Sequence, residues 1–146
     1  MPTSPRTRTP AALALVALAL WVGCSDRPKT VAVHGRVTLD GGPVPHQGVI
    51  YFTSTETARP GMGHFDEQGE YVATTWHEGD GLLPGKYQVH LECWQQPPNM
   101  EGIPVKSYLP SNYMASSTSG LELVVDGNQR RQVFDIEVTT DGGDDK

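Results

Sequence analysis

The chain has 146 residues, with 11 basic against 17 acidic side chains and a formal net charge of −6. That balance excludes a nucleic-acid partner, whose phosphates demand a basic face, and it disfavours electrostatic docking on anionic lipid. Only 2 cysteines occur, which limits the chain to a single intramolecular disulfide.

The first twenty-odd residues carry the most specific signal. Arg6 and Arg8 make a basic start. Ala11 to Val22 follows as an unbroken apolar run of about a dozen residues, which fits a secretory signal and falls short of the roughly 20 a bilayer span needs. Val22-Gly23-Cys24 resembles the lipobox of bacterial lipoproteins, although Trp21 stands where that family usually has Leu. The resemblance implies a lipoprotein signal peptide over residues 1–23, lipidation of Cys24 by acyl groups such as palmitate, and a tether over 24–30. Ser25 after the cysteine favours the outer membrane over the inner one. An ordinary signal cut at Ala17-Leu18-Ala19 is the alternative. Loss of Arg6 and Arg8 takes the basic count from 11 to 9 against 17 acidic residues. Membrane contact is therefore expected through acyl chains, each buried methylene contributing about 0.8 kcal/mol. With Cys24 acylated, Cys93 is left alone as a buried, inert thiol; without acylation a Cys24–Cys93 bridge becomes available.

The remaining chain, about 120 residues, is enough for one domain with one core. Val31, Val33, Val37 and Leu39 alternate with Ala32, His34, Arg36 and Thr38 at the period of a half-buried strand. Gly35 takes the inward parity, which predicts a bulge or a close backbone approach. Asp40-Gly41-Gly42 supplies turn chemistry, and Val49 to Thr53 reads as a second strand. Phe65 to Tyr71 reads as a hairpin turning on Asp66 and Gly69, with a return strand from Tyr71 to Trp76. Tyr87 to Trp94 is the clearest strand, with Tyr87, Val89, Leu91 and Cys93 facing in. From Gln95 to Gly120, Pro97, Pro98, Pro104 and Pro110 break any long ladder and leave a short edge strand around Val105 to Tyr108. Leu121 to Val125 and Gln132 to Val138 read as a last hairpin, and residues 139–146 as a disordered acidic tail. Helical periodicity is absent after the leader, so the expectation is all-β: a single antiparallel β-sandwich of about seven strands over residues 31–138.

Several segments carry a family resemblance. Val33 to Pro45 resembles the opening of carboxypeptidase-regulatory-like, transthyretin-like (prealbumin-like) domains. Phe65-Asp66 with Gly69-Glu70-Tyr71 is similar to their D-x-x-G-x-Y hairpin, and Leu83-Pro84-Gly85-Lys86-Tyr87-Gln88-Val89 to their L-x-P-G-x-Y-x-V strand. Ile103-Pro104 to Tyr108, Ser119-Gly120-Leu121 and Val133 to Ile136 resemble a lipoprotein group of planctomycete-type bacteria. The matches cover about residues 31–138. They consist of turn glycines and prolines and core aromatics, so the resemblance implies the sandwich and leaves function open.

Residue patterns that carry chemistry are correspondingly sparse. One transthyretin-like branch hydrolyses 5-hydroxyisourate with His and Arg residues and a Tyr-Arg-Gly-Ser ending, whereas this sequence ends Gly143-Asp144-Asp145-Lys146. No Gly-x-Ser-x-Gly elbow is present, and His90 and Cys93 fall on opposite strand faces. The histidines His34, His46, His64, His77 and His90 lack metal-ligand spacing, so neither a metal nor a cofactor is expected. The candidate ligand-binding residues are Trp94, Trp76, His90 and Glu92, the outward-facing set, since exposed indoles flanked by polar groups stack on sugar faces. The expected role is a non-enzymatic structural or protein-interaction module of the cell envelope, lipid-anchored on the periplasmic or cell-surface side. Carbohydrate binding through Trp94 and Trp76 is the alternative, with envelope protein or polysaccharide as the partner, and the hydroxyisourate-type hydrolase is the remote one.

Overall fold

The computed structural model describes Met1 and residues 28–56 and 59–140. The expected leader, the expected lipidation residue Cys24 and residues 141–146 of the expected tail lie outside the described residues. Among the described residues no helix is long and apolar enough to cross a membrane.

The chain is all-β. Its strands are β1 (Ala32–Leu39), β2 (Gly42–Pro43), β3 (Gly48–Ser54), β4 (Gly61–Phe65), β5 (Glu70–Val72), β6 (Gly85–Glu92), β7 (Trp94–Gln96) and β8 (Lys106–Ser107). A 3-10 turn, Ser111–Met114, precedes β9 (Leu121–Val125), β10 (Arg131–Val133) and β11 (Ile136–Val138). One curled sheet runs β10-β1-β5-β4-β3-β6-β9, with β2 and β11 also pairing with β1, while β7 and β8 form a separate ribbon. Alternation along β1 and β6 places Val33, Val37, Tyr87, Val89 and Leu91 inside, and Ile50, Phe52, Ile136 and Val138 join them in one buried cluster. Burial of each such side chain stabilises the fold by about 1.5–3 kcal/mol before conformational entropy is counted.

Local turn chemistry fixes the register. Asp40 (φ 49°) and Gly41 (φ 76°) make the two-residue turn joining β1 to β2, both residues in the left-handed region that such hairpins require. Asp66 closes the β4–β5 hairpin: its Oδ1 accepts from the backbone N–H of Gln68 and of Glu70, both at 2.9 Å. Gly35 serves as a close-approach site, since a Cβ there would lie 2.0 Å from the Phe134 carbonyl oxygen. The Tyr71 hydroxyl donates to that same oxygen at 2.6 Å.

Three expectations are corrected. β9 and β10 are not a hairpin: β9 pairs with β6, whereas β10 and β11 run parallel to β1. Proximity in sequence favours a local pairing, but β1 offers a long free edge that both short strands share. The return strand after Tyr71 stops early, and beyond an isolated bridge of Met62 with Thr74 the chain enters a loop. The start of the tail is also fixed, because Thr140 donates from its N–H and Oγ1 to the Asp40 carboxylate at 2.8 Å each.

Strand direction gives the sheet two distinct poles. The starts of β1, β6 and β10, the end of β9 and the loop after β5 gather at one, where Val31 bridges Leu82. The starts of β3 and β9, the ends of β4 and β6, the Asp40-Gly41 turn and the β7–β8 ribbon gather at the other. The described chain enters at the first pole and ends, at Thr140, near the second.

Candidate functional site

The outward face of β3 and β6 brings together three of the four candidate residues. Antiparallel register sets Tyr51 opposite His90 and Val49 opposite Glu92. The Tyr51 and His90 rings stack at 4.7 Å with an interplanar angle of 13°. Glu92 accepts a hydrogen bond from the Trp94 indole Nε1 at 3.1 Å, and its charge acts on the Tyr51 hydroxyl. One carboxylate therefore orients the indole and lies close to a second aromatic ring across the strand pair. Burial, then the charge of Glu92, raise the Tyr51 pKa above 10.0. Burial lowers that of His90, with Glu92 opposing it, and His90 Nδ1 is buried without a partner among the described residues.

A cleft of about 580 Å³ opens beside this row at the second pole, lined among others by His46, Gln47, His64, Glu92, Trp94 and Pro97. Its floor is backbone at Gly48, where a Cβ would fall 2.2 Å from the Phe65 ring and 2.3 Å from the Glu92 carbonyl. Cys93 holds one wall in place: its thiol is fully buried and donates to the His46 carbonyl at 3.2 Å. Burial raises the thiol pKa, so the group is a packing element and not a nucleophile. His46 also lies over Tyr108, with ring centroids 6.4 Å apart and planes within 9°.

Trp76 is not part of this arrangement. It lies at the first pole, in the loop after β5, with the Arg59 guanidinium 5.9 Å from its ring centroid. Asp80 organises that loop by accepting from the N–H of Thr75 at 2.7 Å, His77 at 3.0 Å and Trp76 at 3.1 Å. Burial works against ionisation of Asp80, but these donors outweigh it and hold its pKa below the ordinary value.

A broader trough of about 1410 Å³ follows the outer face of β1, β5 and β10. Within it the Arg36 guanidinium pairs with Glu70, and the Arg36 backbone N–H donates to Asp135 at 2.8 Å. Among the described residues no group of three His, Cys, Asp or Glu side chains converges as a metal site.

The cleft residues His46, Gln47 and His64, and Tyr51 beside them, were not legible as a group because they meet Glu92 and Trp94 only through the pairing of β3 with β4 and β6. Tyr51 shares parity with Val49, which was the available signal. No protein-family model, curated protein or solved structure matches this chain.

Proposed function

We propose that the chain is a lipid-anchored domain of the cell envelope, held to the membrane by acyl chains on Cys24 and acting by binding rather than by chemistry. It faces the periplasm or the cell exterior, with the outer membrane favoured by Ser25. Its curled sheet is a two-layer, transthyretin-like sandwich of the carboxypeptidase-regulatory-like kind, and its described core supports this, because residues of β1 and β11 and of β3 and β6 bury one shared cluster.

The observation that carries the reading is the polarity of the domain. The tether would enter at the first pole, beside Val31 and Leu82, which leaves the Trp94 cleft and the β7–β8 ribbon facing away from the anchoring membrane. The acidic side chains also support a binding role, since Asp40, Asp66, Asp80 and Asp126 cap backbone or turn groups.

Metabolic labelling with a palmitate analogue tests the anchor in cells expressing wild type or Cys24→Ser. The expected result is label on wild type in the membrane fraction, and an unlabelled variant released from it. An unlabelled wild-type protein would sink the proposal.

A further inference from the structure

We propose that the cleft at the second pole is a binding site for an uncharged saccharide, the terminal or internal residues of a neutral envelope or exogenous glycan. The inference deepens the binding role just given and rests on it for biological context, but its chemistry stands on the cleft alone.

The lining selects against charged ligands. Among the described residues no Lys or Arg contributes to it, so an anion would meet neither an ammonium nor a guanidinium. Glu92 is the one carboxylate in that lining, and the Trp94 indole already occupies it. A cationic ligand would have to compete with that indole. What remains is an indole ring, the imidazoles of His46 and His64, the amides of Gln47 and Gln95, and the apolar surfaces of Val49 and Pro97. An aromatic wall, apolar side chains and several donor–acceptor groups match a pyranose ring, with its C–H face on one side and hydroxyls around its rim.

Preorganisation strengthens the case. The Glu92 bond fixes the indole before a ligand arrives, which lowers the ordering cost of binding. The Cys93 thiol holds the His46 backbone at the edge of the same cleft. Because Trp76 lies at the other pole, one indole serves the site and the second is a built-in control.

The test is an immobilised array of neutral, uronate-bearing and sulfated oligosaccharides, probed with the full chain in mild detergent. Variants Trp94→Ala, Trp94→Phe and Trp76→Ala are run in parallel. The expected result is retention on neutral glycans, weakened about tenfold by Trp94→Ala in keeping with the loss of one stacking contact. Trp94→Phe should keep most of the affinity, and Trp76→Ala all of it. Should Trp94→Ala not fold, His46→Ala, exposed on the rim, replaces it with the same expected direction. Absence of any neutral-glycan binding by folded wild type overturns the proposal. So does binding confined to acidic glycans, or binding lost with Trp76 and kept without Trp94. Failure here leaves palmitate labelling of Cys24 untouched, and failure of labelling leaves the array result standing.

Discussion

The side-chain amide of Gln132 donates to the Val124 carbonyl at 2.7 Å, and its oxygen accepts from the Asp126 N–H at 3.3 Å. A primary amide offers the same donor and acceptor as a peptide unit. Gln132 on β10 therefore supplies to the edge of β9 what a neighbouring strand would otherwise give. These two strands are the two ends of the curled sheet, so the contact fastens its seam at the first pole. Gln132→Ala should lower stability by about 1 kcal/mol, the net value of such bonds on a partly exposed edge. A urea denaturation midpoint reads it directly, and Gln132→Glu should recover only part of the loss, since a carboxylate cannot donate.

Gly35 and Phe134 make the tightest approach between β1 and the segment joining β10 to β11. A methyl group at residue 35 would meet the Phe134 carbonyl oxygen at 2.0 Å and its carbon at 2.6 Å. Backbone on both sides prevents easy relief. Gly35→Ala should destabilise by about 3 kcal/mol, at the upper end of overpacking effects, whereas Gly41→Ala, with no atom within 4 Å, should cost only the strain of its positive φ, about 1 kcal/mol. Thermal or urea midpoints of the two variants measured side by side check the difference.

Tyr71 links pH to stability at the alkaline end. Burial, followed by the charge of Asp135, raises its pKa well above 10.0. The folded state thus holds the phenolic proton more tightly than the unfolded state. Its contribution is complete below pH 10.0 and is lost as pH rises beyond that value. Tyr71→Phe should cost about 1–2 kcal/mol near neutrality through the lost bond to Phe134. Denaturation midpoints of the variant should then fall less steeply than wild type above pH 10.0.

Asp80 acts at the acid end with the opposite sign. Its folded pKa lies below 3.8, so it contributes stability above that value and loses it as pH falls through the folded one. Asp80→Ala should release the Thr75–Trp76–His77 loop at a cost of about 1 kcal/mol, comparable to removal of a capping side chain. Faster amide hydrogen exchange at these three residues would report it; unchanged exchange would contradict the capping role.

Much of the fold was legible because its determinants are local. Period-two alternation in β1 and β6, the Asp40-Gly41 turn and the Asp66–Gly69 hairpin each follow from neighbouring residues. The close approach at Gly35 was legible as well, since a glycine at an inward strand position leaves a gap in the core that a neighbouring backbone must fill. The partner of β10 was not. Val133 and Val124 have similar patterns, and nothing in either segment specifies whether β1 or β9 receives the strand. The site followed the same division. Glu92, His90 and Trp94 share a strand parity that can be read from sequence, but the separation of Trp76 depends on strand direction and on Asp80 stopping the return strand. His46 and His64 reach the cleft through pairings of β3 with β4 and β6.

A domain tethered at one pole and binding at the other has a simple signature in distance from the membrane. The most direct test places a single fluorophore at Glu78→Cys in the first-pole loop or at Met100→Cys in the β7–β8 connection, in acylated full-length protein reconstituted into vesicles. Cys93 is fully buried and stays unlabelled. Lipids carrying a headgroup quencher then report proximity to the membrane. The expected result is stronger quenching at residue 78 than at residue 100; equal quenching at the two sites, or stronger quenching at residue 100, would contradict the two-pole arrangement.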